Sequence, residues 1–571
     1  MDIEEIRAAA ARVTAPGRPY ELIDAQIDGV AFRVFKNAPA SLRELYRSSL
    51  AQHASRDFYV FRDERFTFQE AWDLAARVAH ALTARGIRKG DRVAIAARNY
   101  PEWIFAYMGI TSIGAIAVAM NAWWSREELA YGLDDSGARL IFADRERLER
   151  IAPIANERGL ALVAIRADDL ARDGVATWRD FIANCSTVMP TPALAPDDDA
   201  MLLYTSGSTA HPKGVLTTHR SIIHAVLGWE CGAVIAADVL PELVDPSPEF
   251  HPAMILSVPL FHVSGLNVQL LSSFRPGRKV VGMYKWDAEE ALELIETERI
   301  TSFNGVPTMS WELVQSPSFG KYDLRSLKSA GGGGAAMAPE HSRQINKALG
   351  RTGGAAGTGY GMTETNGLGT SISGADLVER PRSCGRPIPP LVTIKIVAED
   401  GRELPPGETG EIWIGGPMNF RGYWNKAQAT AETLTNGYVR SGDIGHVDAQ
   451  GFVYITDRAK DMIIRGGENI GCQEVEAVLC DHPAVSECAV FGVPDERLGE
   501  CVAAVVMLRP GKTITADELK AYTMQHLARF KVPEHLWLRS ERLPRIASGK
   551  IYKRGLREEA IAALEANGGK R

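Results

Sequence analysis

The stretch from Met201 to Gly214 reads MLLYTSGSTAHPKG, and the fold can be worked out from it in both directions. Four largely apolar residues favour a buried strand, and the next ten carry hydroxyls, two glycines and one lysine. A loop at the carboxyl end of a buried strand is where open α/β sheets bind ligands. Glycine N–H groups, Ser and Thr hydroxyls and the charge of Lys213 suit an oligophosphate. The pattern differs from GxxxxGK[ST], which excludes the ordinary Walker loop.

Strands of the same kind alternate with helical patterns on the amino-terminal side of this loop. RVAIAA (92–97), RLIFA (139–143) and ALVAI (161–165) are typical of buried strands. The alternation predicts an α/β chain with largely parallel sheets. The uncharged segment from Trp103 to Trp124 is long enough to cross a bilayer. Because Gly114 divides it, we interpret it as a core helix followed by a buried strand.

The pattern changes towards the carboxyl terminus. Beyond residue 390, short strands with Gly, Asp and Asn turns predict a small antiparallel β lobe. Helix and strand alternate again beyond residue 461. We therefore predict a large N-terminal domain at 1–456, made of two α/β subdomains and the β lobe. A hinge at 457–461 and a mobile α+β domain at 462–571 complete the prediction.

Composition and charge limit the classes of protein. The 571 residues hold 64 Lys plus Arg against 71 Asp plus Glu, and the net charge of −7 disfavours a nucleic-acid partner. Seven scattered cysteines without CxxC pairs favour a reduced, cytoplasmic protein without a zinc knuckle. The charged, helical start predicts no leader, and we expect no transmembrane segment. A homodimer is compatible with the sequence.

A second glycine-rich segment, GTGYGMTE, occupies residues 357–364. It ends with the adjacent hydroxyl and carboxylate of Thr363 and Glu364, which can bind a phosphate oxygen and its magnesium ion. Tyr360 offers a ring face for a base. Together with the first loop, this segment predicts a nucleotide site.

Five motifs in order resemble those of the adenylate-forming superfamily, which contains acyl-CoA synthetases, luciferases and peptide-synthetase adenylation domains. They are similar to its phosphate loop (YTSGSTAHPKG, 204–214), magnesium motif (YGMTE, 360–364), ribose motif (RSGDIG, 440–445), hinge (DRAKDMIIRGGENI, 457–470) and terminal lysine motif (RIASGKI, 545–551). The resemblance runs from about residue 50 to 555, and five ordered motifs are very specific. Ser208, Ala210 and Ala336 replace the usual Thr, Gly and Pro, and these exchanges leave the chemistry of the motifs intact.

The resemblance implies a role for each motif residue. The implied catalytic residues are Lys550, Thr363, Glu364 and His262. The implied ATP contacts are Thr205, Ser206, Gly207, Ser208, Thr209, Lys213, Gly334, Ala335, Ala336, Tyr360, Gly361, Met362, Thr363, Asp443, Arg458 and Lys550. Thr205 and Glu364 would hold Mg²⁺, Lys460 would be the hinge residue, and CoA would lie along Arg465, Gly466 and Gly467.

The reaction implied by the resemblance has two steps and uses ATP, Mg²⁺, CoA and a small carboxylic acid. The carboxylate attacks the α-phosphate to give an acyl-AMP and pyrophosphate, and a thiol then displaces AMP. Transfer of the acyl group to a carrier-protein thiol, an amine or oxygen stays open as an alternative. A non-catalytic nucleotide binder is disfavoured because Glu364, Asp443 and Lys550 are all present.

The residues implied to contact the carboxylic acid indicate its chemical class. The implied walls are apolar or small and lack Lys and Arg: Phe261, Val263, Ser264, Gly265, Val306, Gly332, Gly333 and Met362. An uncharged hydrophobic tail follows, since a buried charge needs a partner. We expect a medium- or long-chain fatty acid, with an aryl or arylpropenoic acid as the alternative.

Overall fold

A computed structural model describes most of the chain. The described residues are 2–170, 174–205, 212–241, 248–335, 337–458, 462–465, 468–495, 497–546 and 549–568. Within them, two large sheets, a β lobe and a smaller carboxyl-terminal α+β unit form an α/β architecture that confirms the predicted fold class.

The first large sheet contains the strand that precedes the TSGSTAHPKG loop. Its eight described strands, in spatial order, are Gly422–Tyr423, Lys213–Thr218, Asp199–Thr205, Ile116–Ala119, Arg92–Ala96, Leu140–Asp144, Ala161–Ile165 and Val175–Thr177. The six strands from Asp199–Thr205 onward are parallel, and Lys213–Thr218 returns antiparallel to Asp199–Thr205. The strands predicted from the alternating pattern are therefore confirmed.

The second large sheet carries the GTGYGMTE segment. Its nine described strands, in spatial order, are Arg386–Pro387, Thr370–Ser373, Ala355–Tyr360, Ser329–Gly333, Ser302–Gly305, Ala253–Leu256, Lys279–Gly282, Asp57–Phe61 and Glu64–Thr67. The six strands from Ala355–Tyr360 to Asp57–Phe61 are parallel. Loops at their carboxyl ends therefore lie along one edge of the sheet.

Alternation along the strands explains the layered core. Ile95 points into the cluster between the two large sheets, and its neighbours Ala94 and Ala96 point into the outer cluster of the first sheet. Val60 points likewise into the outer cluster of the second sheet, and Tyr59 into the shared cluster. Side chains that alternate with period two give each sheet two buried faces, which helices must cover.

Sixteen α-helices are described in the chain. They are Ile3–Val13, Leu42–His53, Phe68–Ala84, Pro101–Ser112, Arg126–Ser136, Arg145–Arg158, Trp178–Ile182, His219–Val239, Ala288–Thr297, Pro307–Gln315, Pro339–Leu349, Gly374–Glu379, Ala427–Thr433, Cys472–Asp481, Ala516–His526 and Lys553–Gly568. Pro101–Ser112 and the following strand are buried, which confirms our interpretation of the Trp103–Trp124 segment. Among the described residues, only His219–Val239 is long and apolar enough for a membrane span, and half of the apolar stretch is buried.

The β lobe and the small unit complete the fold. The lobe is antiparallel, as predicted, with described strands Thr393–Val397, Gly410–Gly415, Leu434–Thr435, Tyr438–Val447 and Val453–Arg458. The small unit has strands Ile463–Arg465, Glu468–Ile470, Val485–Asp495, Gly499–Leu508 and His535–Arg539 and hydrophobic clusters of its own. The hinge residue Lys460 lies outside the described residues.

Candidate active site

The predicted phosphate loop begins where a buried strand ends. Thr205 is the last residue of Asp199–Thr205, and its Cα partner across the antiparallel pair is Lys213. The Thr205 hydroxyl donates to the Lys213 carbonyl at 3.5 Å. The two strands thus fix both ends of the loop. Ser206, Gly207, Ser208 and Thr209 lie outside the described residues.

Lys213 is joined to the predicted magnesium motif through one aromatic side chain. Its Nζ lies 4.7 Å from the centre of the Tyr423 ring, and the Tyr423 hydroxyl donates to Glu364 Oε1 at 2.7 Å. Burial and, secondarily, the charge of Glu364 raise the pKa of Tyr423 well above its usual range. Tyr423 therefore stays protonated and joins the Glu364 carboxylate to Lys213.

The backbone fixes Glu364 as well. Thr363–Thr365 is a single 3-10 turn after the strand Ala355–Tyr360, and Glu364 is buried within it. The Phe420 N–H donates to the Glu364 carbonyl at 2.8 Å. Gly361 and Met362 lead into this turn, and Met362 packs against the β lobe. A buried carboxylate held at both its backbone and its side chain is preorganised.

The strand Ser329–Gly333 ends in three glycines. Gly331, Gly332 and Gly333 pair with residues 357–359 of the parallel neighbour. A Cβ on Gly332 would lie 1.9 Å from the Gly305 carbonyl oxygen, so only glycine fits there. Gly334 follows with φ of +80° and leads into Ala335. Backbone without side chains here lets a flat ligand approach. Ala336 lies outside the described residues.

The predicted ribose carboxylate is held by the tyrosine of the magnesium motif. Tyr360 donates its hydroxyl to Asp443 Oδ2 at 2.5 Å, and Asp443 is buried. Burial and then the charge of Asp443 raise the pKa of Tyr360 well above its usual range. Tyr360 thus orients the Asp443 carboxylate, and the predicted contact of its ring with a nucleotide base stays a prediction. Arg458 lies opposite Asp443 in the antiparallel strand pair.

His262 follows the strand Ala253–Leu256. Its Nε2 is shielded from solvent and has no hydrogen-bond partner among the described residues. Burial, and then the nearby Lys550 ammonium, lowers the pKa of His262 to about 4. The ring is therefore neutral at pH 7, and its unpartnered nitrogen suits a ligand group.

Lys550 reaches this site from the small unit. Its Cε and Nζ lie 3.6 Å and 3.9 Å from the position that a Cβ would take on Gly334. A Cβ on the preceding Gly549 would lie 3.3 Å from Val306 Cγ2, and Gly549 has φ of +83°. The structure therefore brings Lys550 together with His262 and Gly334.

Arg465, predicted to face CoA, lies elsewhere on the small unit. Its guanidinium is 3.5 Å from Glu534 Oε2, and its Cα partner is Gly499. Both partners belong to the small unit. Neither of these contacts of Arg465 involves Lys550 or His262, and Gly466 and Gly467 lie outside the described residues.

Sequence reasoning missed Tyr423. The residue is 59 positions from Glu364 and belongs to no motif. Pairing of the edge strand Gly422–Tyr423 with Lys213–Thr218 brings it to the site. No local signal in the sequence could have found it, because the contact is made by long-range strand pairing.

Comparison with known proteins agrees with this geometry. Residues 46–424 match the AMP-binding enzyme family, and residues 474–550 match the AMP-binding enzyme C-terminal domain. A feruloyl-CoA synthase from Amycolatopsis sp. is 36% identical over 489 residues, covering 85% of this chain and 92% of the relative. A long-chain-fatty-acid–CoA ligase from Bacillus subtilis is 33% identical over 548 residues, covering 91% and 94%.

A solved structure is similar over nearly the whole chain. The crystal structure of the anthranilate CoA ligase AuaEII in complex with anthranoyl-AMP superposes with a TM-score of 0.82 at 26% identity, covering 92% of this chain and 98% of that one. The fold and the site thus define an adenylate-forming enzyme. The chain belongs to the AMP-binding enzyme family, and it is an AMP-forming acid–CoA ligase that uses ATP, Mg²⁺ and CoA.

The residues present fit magnesium. Tyr423 contacts both the buried Glu364 carboxylate and Lys213. The Thr205 hydroxyl donates to the carbonyl of the same lysine. Carboxylate and hydroxyl oxygens are the hard donors that Mg²⁺ accepts beside substrate phosphates.

Proposed function

We propose that the chain converts a carboxylic acid with an uncharged, apolar tail into its CoA thioester at the site between the two large sheets and the small unit. One observation carries the proposal. Lys550 of the small unit lies beside Gly334 and near His262, whose Nε2 has no partner among the described residues, at the edge where the second sheet's parallel strands end. A cation close to a neutral imidazole suits an anionic carboxylate.

The first half-reaction assigns roles to the side chains already described. A carboxylate oxygen attacks the α-phosphorus, the bond to the bridging oxygen breaks, and pyrophosphate leaves with the electron pair. Lys550 would neutralise charge shared by the carboxylate and the α-phosphate. Asp443, oriented by Tyr360, would accept hydrogen bonds from both ribose hydroxyls. When bound through Thr205 and Glu364, Mg²⁺ would supply charge neutralisation for the phosphates.

The second half-reaction uses a thiol. The CoA sulfur attacks the acyl carbon, the mixed-anhydride C–O bond breaks, and AMP leaves. We assign this step to the face of the small unit that carries Arg465, presented after rotation about a hinge at 457–461. That assignment and the division into 1–456 and 462–571 are supported by the different contacts of the two segments, Glu534 and Gly499 for Arg465 and Arg545 and Val306 for the Lys550 turn, and they stay predictions.

We assign the tail of the acid to the aliphatic groups near the Lys550 site. Val306 packs against Gly549, and a Cβ on Gly367 would meet Val268 and Val263. These groups favour burial of an apolar tail, at about 0.8 kcal/mol per methylene. We propose a medium- or long-chain fatty acid as the first candidate.

An aryl or arylpropenoic acid is the second candidate, and two glycines favour it. A Cβ on Gly265 would lie 2.3 Å from the Pro259 carbonyl oxygen, and Gly332 is similarly close to Gly305. Backbone therefore fills the space beside these small residues, so they do not lengthen the cavity. The similarity to a feruloyl-CoA synthase and to an anthranilate CoA ligase supports the same candidate.

A panel of acids tests the proposal. CoA-dependent AMP release is measured with hexanoate, octanoate, dodecanoate, cinnamate, ferulate and benzoate, each with CoA, with an amine in place of CoA, and with neither. A kcat/KM that rises severalfold for each two carbons supports a fatty acid. If kcat/KM is constant across the aliphatic acids and much higher for cinnamate or ferulate, the substrate is an aryl or arylpropenoic acid instead. AMP release that needs the amine rather than CoA would refute the thioester assignment.

A further inference from the structure

The loop that carries Lys550 is held by its own backbone. Ile546 donates its N–H to the Lys550 carbonyl at 2.8 Å, and Gly549 donates to the Ile546 carbonyl at 2.8 Å. An antiparallel bridge between Arg545 and Ile551 closes the turn. These bonds shape the turn, but they set the direction of Lys550 only if the turn is also attached firmly to the rest of the small unit.

Arg545 is the side chain that does this. Its Nη1 donates to the Gly549 carbonyl at 2.7 Å, the carbonyl directly before Lys550. Its Nη2 bonds Glu487 Oε2, and Glu487 Oε1 accepts the Leu543 N–H at 2.8 Å. The guanidinium fork thus ties the turn to the strand Val485–Asp495, and the ion pair is largely buried, with side-chain exposures of 21% and 12%.

The same guanidinium also reaches the large domain. Arg545 Nη1 lies 3.5 Å from the Thr308 hydroxyl, in the first turn of helix Pro307–Gln315. Val306, the residue before that helix, contacts the Gly549 position. One side chain therefore contacts the lysine turn, the core sheet of its own unit and the helix of the large domain beside the site.

We propose that Arg545 is a positioning residue for Lys550, which fixes the lysine turn and registers it against Thr308 only when the small unit is docked for adenylation. The inference rests on the proposed role of Lys550. Arg545 acts through the Gly549 carbonyl, so its loss should lower the rate of the adenylation step. Misplacement of a catalytic group by about 1 Å is enough to cost on the order of 100-fold in rate.

The test compares the two half-reactions in Arg545→Met, Arg545→Lys and Lys550→Ala. Pyrophosphate release from acid and ATP reports adenylation, and CoA thioester formation from supplied acyl-AMP reports the second step. We expect Arg545→Met to lower the kcat of adenylation about 100-fold, with the KM for ATP and the second step within about threefold. Arg545→Lys should recover part of the rate, because an ammonium can bond Glu487 or Gly549 but lacks the fork.

A matched control is Arg539→Met. Arg539 pairs with Glu559 inside the small unit and is partly exposed, so its loss should leave both half-reactions unchanged. Equal loss of both steps in Arg545→Met, or a lysine variant slower than the methionine variant, would overturn the inference. If Arg545→Met keeps full adenylation while Lys550→Ala loses it, the inference about Arg545 is overturned and the proposed function of Lys550 stands. Full adenylation by Lys550→Ala would instead refute the proposed function of that lysine.

Discussion

The large domain and the small unit contribute to the candidate site in different ways. Glu364 and Asp443 are buried in the large domain, and each accepts a hydrogen bond from a tyrosine of the same domain. Lys550 reaches Gly334 and His262 on a turn closed by backbone hydrogen bonds and one arginine. The groups proposed to bind the nucleotide are thus fixed by the fold, and the position of the proposed catalytic lysine depends on how the small unit docks. We therefore expect the two half-reactions to separate in variants of the small unit.

The largest expected effect belongs to Lys550→Ala. Removing the cation beside His262 and Gly334 should lower adenylation by about 10²–10³-fold, the magnitude typical of losing one preorganised electrostatic contact. Thioester formation from supplied acyl-AMP should persist, because Lys550 is assigned to the first step alone. Quenched-flow measurement of each half-reaction checks this. Equal loss in both would rule out separate faces.

Arg465→Ala should show the opposite pattern. Arg465 pairs with Glu534 at 3.5 Å on a different part of the small unit. If that face receives CoA, the KM for CoA should rise about tenfold, as expected for one charge-assisted contact. Pyrophosphate release should stay within a factor of about two. Arg497→Ala on the same unit is the control, and slow adenylation in Arg465→Ala would contradict the assignment.

We expect acid to destabilise the large domain before the small unit. Burial, as the first cause, lowers the pKa values of His219, His224, His262 and His341, all in the large domain, to about 4. The unfolded chain protonates these groups near pH 6.5, so stability is lost as pH falls from about 6.5 towards 4, by roughly 1.4 kcal/mol per pH unit for each histidine. Thermal unfolding at pH 7.5 and 5.5 measures the loss.

Two further measurements test whether these histidines cause the loss of stability at low pH. His341→Gln should unfold with a shallower pH dependence than the parent chain, because one titrating group has been removed. Hydrogen exchange at pH 5.5 should rise in the large domain before it rises in residues 468–568. Acid unfolding that begins in the small unit would contradict the prediction.

The smallest effect concerns docking by a surface ion pair. Arg542 of the small unit donates to Glu312 Oε1 at 2.7 Å, and Trp286 donates to the other oxygen at 2.8 Å. The Arg542 side chain is 64% exposed, so water screens the pair, and we expect about 0.2–1 kcal/mol from it. Arg542→Ala should therefore slow adenylation less than about fivefold. Arg325→Ala, within the large domain, is the control, and a larger effect would show that docking depends on this pair.

Local patterns were sufficient for the elements and the motif order. The strands around Ile95, Phe142 and Leu203 follow from short apolar runs, and the split of the Trp103–Trp124 segment follows from Gly114. Runs of this kind specify burial because a strand or helix presents its side chains with a fixed period. The phosphate-loop motif was found because its hydroxyls, glycines and lysine directly follow the apolar run Met201–Tyr204, and the segment 357–364 was found from its glycines and its adjacent hydroxyl and carboxylate.

Tertiary structure alone decided how the site is held together. Tyr423 comes to Glu364 across 59 residues, and Arg545 comes to Glu487 across 58. Nothing in the spacing of a single sequence encodes such contacts, because they depend on which strands pair and how domains dock. Gly332 shows the same limit: the sequence identifies it only as a small residue of the implied wall, but a Cβ there would lie 1.9 Å from the Gly305 carbonyl oxygen. The sequence by itself determined the chemistry available to this protein, and the packing of distant segments decided the geometry in which that chemistry is presented.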